Sequence, residues 1–134
     1  MIENLWGNLV TPVIRTPKSI LKEQADQLTK MTSGVLIGVV RDTRSNPFIH
    51  EIRPNRTQNL VYELLIRVPA INDYTYSVLS IEHSIDLYPV TIKCGRPDVD
   101  VECPDEQIFI DQLRSILSSE EIGTILTRLI SQAQ

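Results

Sequence analysis

The sequence predicts a two-layer α+β fold, in which a meander of about five antiparallel strands is covered by one N-terminal helix and a C-terminal helical hairpin. Apolar and polar residues alternate with a period of two through most of residues 59–94, as strands with one buried face require. The connections between strand patterns span roughly three to six residues, which favours antiparallel neighbours. Helical patterns lie only at the two ends of the chain, which is typical of α+β domains.

Residues 1–15 are interpreted as an N-terminal arm. Their apolar residues follow helical spacing, but Gly7 interrupts this pattern and Pro12 ends it. The only tryptophan of the chain, Trp6, lies in this arm together with Leu9. Because a tryptophan has a large apolar surface to bury, we expect the arm to pack against its own domain. Docking on a partner or on a second copy of the chain is the alternative.

The first helix is predicted over 16–33. Thr16 is a favourable N-cap, and Pro17 at the first helical position has its φ angle already fixed and has no N–H to lose. Gly34 is a suitable terminator, because glycine adopts a positive φ angle without steric cost.

The sheet is predicted within 35–94 and is followed by an acidic connector over 95–103. In this connector Asp98, Asp100 and Glu102 alternate with valines, so an additional edge strand protected by its charges is the alternative. The individual strand patterns cover 35–40, 48–53, 59–68, 74–83 and 87–94.

Two helices are predicted over 104–132. Asp105 and Glu106 suit the first turn of a helix, where the helix dipole is positive. Ser118 and Glu121 have the spacing of a capping box, which predicts that the last helix begins there.

Composition limits the classes of function. A chain of 134 residues, 42% hydrophobic and 22% charged, is expected to form one soluble globular domain. The net charge of −4 disfavours general nucleic-acid binding, and no apolar run reaches the ~20 residues of a membrane span. Nine Lys/Arg and six Asp/Glu give residues 1–67 a net +3, whereas four and eleven give residues 68–134 a net −7. Such asymmetry can steer a charged partner, although folding can equally interleave the two halves.

The two cysteines, Cys94 and Cys103, are expected to be reduced and structural. Cys94 continues the buried face of its strand pattern, and no export signal pattern accompanies the pair. A disulfide across the intervening loop is the alternative. We therefore expect a cytoplasmic protein.

Each histidine adjoins a glutamate, as His50-Glu51 and Glu82-His83. If their strands paired, the imidazoles and carboxylates could converge on a divalent ion. Adjacent residues of a strand point to opposite faces, however, which argues against one shared site. Glycine-rich phosphate-binding motifs are also absent from the sequence. We expect no cofactor and no catalytic residue, with this metal site as the alternative.

The leading hypothesis is a small non-enzymatic protein-interaction module. Its length, acidity and order of elements match the general outline of immunity proteins, antitoxin-like partners and secretion chaperones. This is an analogy at the level of the fold alone. The alternatives are a divalent-metal-dependent hydrolase or nuclease and a small-ligand sensor with a pocket between sheet and helices. Exposed sheet edges also allow a homo-oligomer. The surface predicted to bind a partner comprises Trp6, Leu9, Asp98, Asp100 and Glu102.

Overall fold

An antiparallel sheet with helices at both ends of the sequence forms the architecture of the computed structural model, which describes residues 3–7, 15–43 and 59–134. In this part of the chain, five strands follow one another across the sheet in sequence order. The predicted α+β fold is therefore confirmed. The strands are β1 (Ile37–Asp42), β2 (Leu60–Val68), β3 (Tyr74–His83), β4 (Val90–Gly95) and β5 (Asp98–Cys103). The helices are α1 (Pro17–Met31), α2 (Glu106–Leu117) and α3 (Glu120–Gln132).

Four of the strands correspond to predicted strand patterns. The patterns at 59–68 and 74–83 match β2 and β3 to within one residue, while β1 and β4 begin two and three residues later than predicted. The pattern at 48–53 lies outside the described residues. β1 pairs directly with β2.

The acidic segment, predicted to be a connector, contains the fifth strand. β5 pairs with β4 in antiparallel register, from Gly95↔Asp98 to Val90↔Cys103. Only the edge-strand alternative therefore describes residues 98–103. The alternating pattern explains this outcome, because Val99, Val101 and Cys103 add apolar side chains to one face while the acids stay outside.

One face of the sheet is covered by the helices and forms the core. Residues directly opposite each other on neighbouring strands fall on the same face, so Leu64 of β2 stands beside Leu79 of β3, and Ile81 of β3 beside Ile92 of β4. Both pairs are buried and belong to one cluster with side chains of all three helices. The largest fully buried side chains include Phe109, Ile20, Leu21, Leu36, Ile66, Ile81 and Ile92.

Helix α1 lies directly against β1 at Gly38. A Cβ atom at this position would lie 2.5 Å from the Cα of Ala25. The N–H of Gly38 donates to Oγ1 of Thr29 at 2.9 Å, and that hydroxyl donates to the carbonyl of Ala25 at 3.1 Å. Glycine thus lets helix and strand backbones meet directly.

The ends of α1 follow the predicted capping. Oγ1 of Thr16 accepts a hydrogen bond from the N–H of Ser19 at 3.1 Å, and Pro17 occupies the first helical position. At the other end, Ser33 and Gly34 both have positive φ angles, 52° and 83°. The N–H of Gly34 donates to the carbonyl of Thr29 at 2.9 Å, which closes the helix.

The predicted start of the last helix is wrong by one residue. Ser119, not Ser118, is the N-cap of α3, and its Oγ accepts from the N–H of Ile122 at 3.3 Å. Ser118 instead ends α2, where its hydroxyl donates to the carbonyl of Arg114 at 2.6 Å. Because the connection between the helices is so short, each serine serves a different helix.

Candidate functional site

The predicted acidic residues form a straight row on β5. Asp98, Asp100 and Glu102 are exposed and lie on the open face of the sheet, the face opposite to the helices. Successive side chains on one face of a strand are about 7 Å apart. The strand thus presents three carboxylates in a line, and β5 is hydrogen-bonded to β4 alone in the described sheet.

A single lysine on β4 faces this acidic row. Lys93 is the direct cross-strand partner of Asp100, and its Nζ lies 3.6 Å from a carboxylate oxygen of Glu82 on β3. The other cross-strand partners of the row are Thr91, opposite Glu102, and Gly95, opposite Asp98. Lys93 is thus shared between two strands, and the row retains an excess of negative charge that would attract a basic partner.

Residues 3–7 of the N-terminal arm, the stretch that contains Trp6, do not pack against the domain as the sequence led us to expect. Residues 3–7 are all exposed, and Leu5 and Trp6 retain 80% and 78% of their accessible surface. The backbone N–H of Trp6 donates to Oδ1 of Asn4 at 3.0 Å, a contact within the arm itself. Leu9 lies outside the described residues. The large apolar surface of a tryptophan predicts that the side chain will be buried, but it does not predict which surface buries it.

The arm and the acidic row are separate features of the described structure. Among the described residues, no hydrogen bond or ion pair joins Trp6 to Asp98, Asp100 or Glu102. The structure therefore supplies two exposed elements of the predicted surface without bringing them together.

The two described members of the alternative metal site face opposite sides of the sheet. Glu82 lies on the open face, where it pairs with Lys93, whereas His83 is buried on the helix-covered face. Within the described ranges, no group of three or more His, Cys, Asp and Glu side chains is arranged to hold a metal ion. His50 and Glu51 lie outside these ranges.

His83 is a polar side chain whose burial was not predicted. It is only 4% exposed, and its Nδ1 lies 2.7 Å from the carbonyl oxygen of Ser84. That carbonyl can only accept, so Nδ1 carries the proton in this hydrogen bond. Among the described residues Nε2 has no hydrogen-bond partner. The signal was present, because His83 falls in phase with Leu79 and Ile81.

Both cysteines are free, as predicted, and both are buried, which the sequence pattern predicted for Cys94 alone. Cys103 stands opposite Val90, and Val90 precedes Cys94 by four residues on β4. The strand register therefore separates the two thiols by roughly 13 Å. Burial raises the pKa of both thiols, a direction that disfavours a reactive thiolate.

Tyr88 is the other side chain of this region with a strongly displaced pKa. Burial, followed by the negative charge of Glu106, raises the pKa of Tyr88 to about 12. Its ring packs against Phe109 in an edge-to-face arrangement, with centroids 6.4 Å apart. This environment favours a neutral phenol, and the hydroxyl lies 3.5 Å from the carbonyl oxygen of Arg15, to which it donates.

Comparison with protein-family models, with curated proteins and with solved structures gives no match for this chain. Among the described residues, no helix is both long and apolar enough to cross a membrane. The expected cytoplasmic location stays a prediction.

Proposed function

We propose that this protein is a non-enzymatic protein-interaction module that binds its partner through the exposed N-terminal arm and the acidic edge of the sheet. The exposure of adjacent Leu5 and Trp6 is the observation that carries this proposal. An exposed tryptophan next to a leucine leaves a large apolar surface in water, and tryptophan is the side chain most enriched at the energetic centres of interfaces.

The acidic row supports a partner of opposite charge. Asp98, Asp100 and Glu102 line the open face at the edge of the described sheet, and Lys93 is the cross-strand partner of Asp100. A basic surface would gain from this arrangement in rate of association and in specificity more than in affinity. The proposed partner therefore has an apolar pocket and a basic surface.

The test is affinity capture with the intact protein, followed by measurement of the dissociation constant for the captured partner. We expect Trp6→Ala to weaken binding at least about tenfold, because truncating a central tryptophan typically removes about 2 kcal/mol or more. The matched control is Ile85→Ala, which removes an exposed apolar side chain, 82% accessible, from the β3–β4 connection.

A charge-neutralised variant separates the two parts of the surface. Replacing all three acids of the row by their amides is expected to slow association and to reduce its dependence on salt. The control variant neutralises three exposed acids elsewhere, namely Asp26, Asp86 and Glu121. Equal binding by Trp6→Ala and by the unaltered protein would contradict the proposal, as would a monodisperse protein that captures no partner at all.

A further inference from the structure

A cleft between α1 and α2 has the size and the chemistry of a ligand pocket. Its volume is about 450 Å³, within the ~300–1,000 Å³ of typical small-molecule sites. Ile110 and Leu113 of α2 provide apolar walls, while Arg15 and Arg114 line the same cleft from two different parts of the chain.

A second, apolar cavity adjoins this cleft. It has a volume of about 180 Å³ and lies between α1, α3 and the sheet, with Leu28, Met31, Ile122 and Leu126 among its described lining residues. Gln24 and Leu117 line both spaces and form the boundary between them. The two spaces together therefore change from cationic to apolar along α1.

We propose that this composite pocket binds an unbranched aliphatic carboxylate, with the carboxylate at Arg15 and Arg114 and the hydrocarbon tail in the apolar cavity. Arginine suits this head group, because its planar guanidinium matches a carboxylate in a bidentate geometry. The apolar cavity suits the tail, because an engineered cavity of ~150 Å³ lined by similar side chains is large enough to hold benzene. This inference is independent of the proposed protein partner.

Both arginines can exchange their present partners for a ligand. Arg15 is paired with Glu23, and Arg114 lies 3.3 Å from Asp111, but all four side chains are well exposed. Exposed ion pairs contribute only ~0–1 kcal/mol, so their loss opposes binding weakly.

Asp111 also keeps a hydrogen-bond donor when Arg114 turns to a ligand. The side-chain amide of Gln107 donates to Oδ1 of Asp111 at 3.0 Å, in the same turn of α2. The carboxylate of Asp111 thus retains a neutral partner, and Arg114 is free to bind the head group.

The experiment is a calorimetric titration of the full chain with hexanoate, octanoate and decanoate at low salt. We expect affinity to rise about fourfold for each added methylene, which corresponds to the ~0.8 kcal/mol gained by burying one. Acetate and 1-octanol serve as head-only and tail-only ligands. Octanol is expected to bind at least about tenfold more weakly than octanoate, because it cannot form the charge-assisted pair.

Two arginine variants test the head-group end of the pocket, and a variant at Gln24 tests its connection to the apolar cavity. Arg15→Gln and Arg114→Gln are each expected to weaken octanoate binding at least about fivefold, whereas Arg128→Gln on α3 is the matched control with unchanged affinity. Gln24→Trp fills the boundary from an exposed position and is expected to abolish the dependence on chain length.

Each outcome supports or overturns the assignment. It is overturned if octanoate and decanoate do not bind, if octanol binds as tightly as octanoate, or if both arginine variants retain full affinity. A chain-length dependence that survives in Gln24→Trp overturns the continuity of the two spaces. Circular dichroism of every variant must match the unaltered protein, and the exposed positions of Arg114 and Gln24 make this the expected result.

Discussion

The two faces of the sheet use the same strands for different purposes. On β2, Leu64 and Ile66 are buried beneath the helices, while Glu63 and Arg67, which flank this pair in sequence, carry charges on the open face. Each of these charges has a partner on another element or turn, since Glu63 pairs with Arg41 and Arg67 with Asp73. One face of the sheet therefore holds the core, while the other presents paired charges to solvent.

The two faces contribute different amounts to the free energy of unfolding, because burying an apolar side chain stabilises the fold more than an exposed ion pair does. Fully burying an aliphatic side chain contributes about 1.5–3 kcal/mol, whereas an exposed ion pair contributes ~0–1 kcal/mol. Leu65 is an exception on the open face, where it is buried opposite Val39 but does not belong to the core cluster. Elsewhere, substitutions on the open face should have little effect on the free energy of unfolding.

The largest effect is expected where the covered face meets a helix backbone. Gly38→Val should lower the free energy of unfolding by about 4 kcal/mol or prevent folding, because its Cβ would overlap Ala25. The side chain cannot rotate away from this contact, since the obstacle is the main chain of α1. Urea denaturation followed by circular dichroism measures the change.

Gly123→Ala is the matched control for that substitution. A Cβ at Gly123 meets nothing within 4 Å, and the residue lies inside α3 on its exposed side. Alanine there should raise the free energy of unfolding by about 0.5–1 kcal/mol through helix propensity. Equal stability of Gly38→Val and the unaltered protein would show that α1 does not rest on β1 at this point.

Much of the covered face could be predicted because its signals are local. The Thr16-Pro17 start of α1 and the alternation through β2 and β3 depend on neighbouring residues, and both are confirmed. The start of α2 was predicted less closely, because Asp105, expected within the first turn, is instead the N-cap and accepts from the N–H of Ile108 at 2.9 Å. Local preferences of this kind require no knowledge of the tertiary fold.

The remaining features depend on contacts between distant residues. The need for glycine at position 38 arises from α1, and the pairing of β5 depends on the exposed edge of β4. Alternating acids and valines are compatible with both a solvated loop and an edge strand, so the pattern alone could not decide. The cleft beside Arg15 and Arg114 joins residues that are far apart in sequence, and no spacing rule reveals it.

Two neighbouring residues on β4 test directly whether the covered face contributes more to stability than the open face does. Ile92→Ala removes a fully buried side chain and should lower the free energy of unfolding by about 2–4 kcal/mol. Thr91→Ala, on the open face of the same strand, should change it by no more than about 1 kcal/mol. Thermal unfolding of both variants measures the difference, and similar losses would mean that the open face also carries the fold.

The smallest effect is expected for the ion pair between β1 and β2. Arg41 and Glu63 are direct cross-strand partners, and Nη2 of Arg41 lies 2.5 Å from Oε1 of Glu63. The other carboxylate oxygen of Glu63 accepts a hydrogen bond from the hydroxyl of Ser77 at 2.5 Å. A double-mutant cycle with Arg41→Gln and Glu63→Gln should give a coupling of about 0.2–1 kcal/mol that decreases with added salt. A control cycle of Arg41→Gln with Glu82→Gln should be additive within about 0.5 kcal/mol, because Glu82 pairs with Lys93 instead. A coupling above about 2 kcal/mol in the first cycle would show that Glu63 is effectively buried, and that the open face contributes to stability as the covered face does.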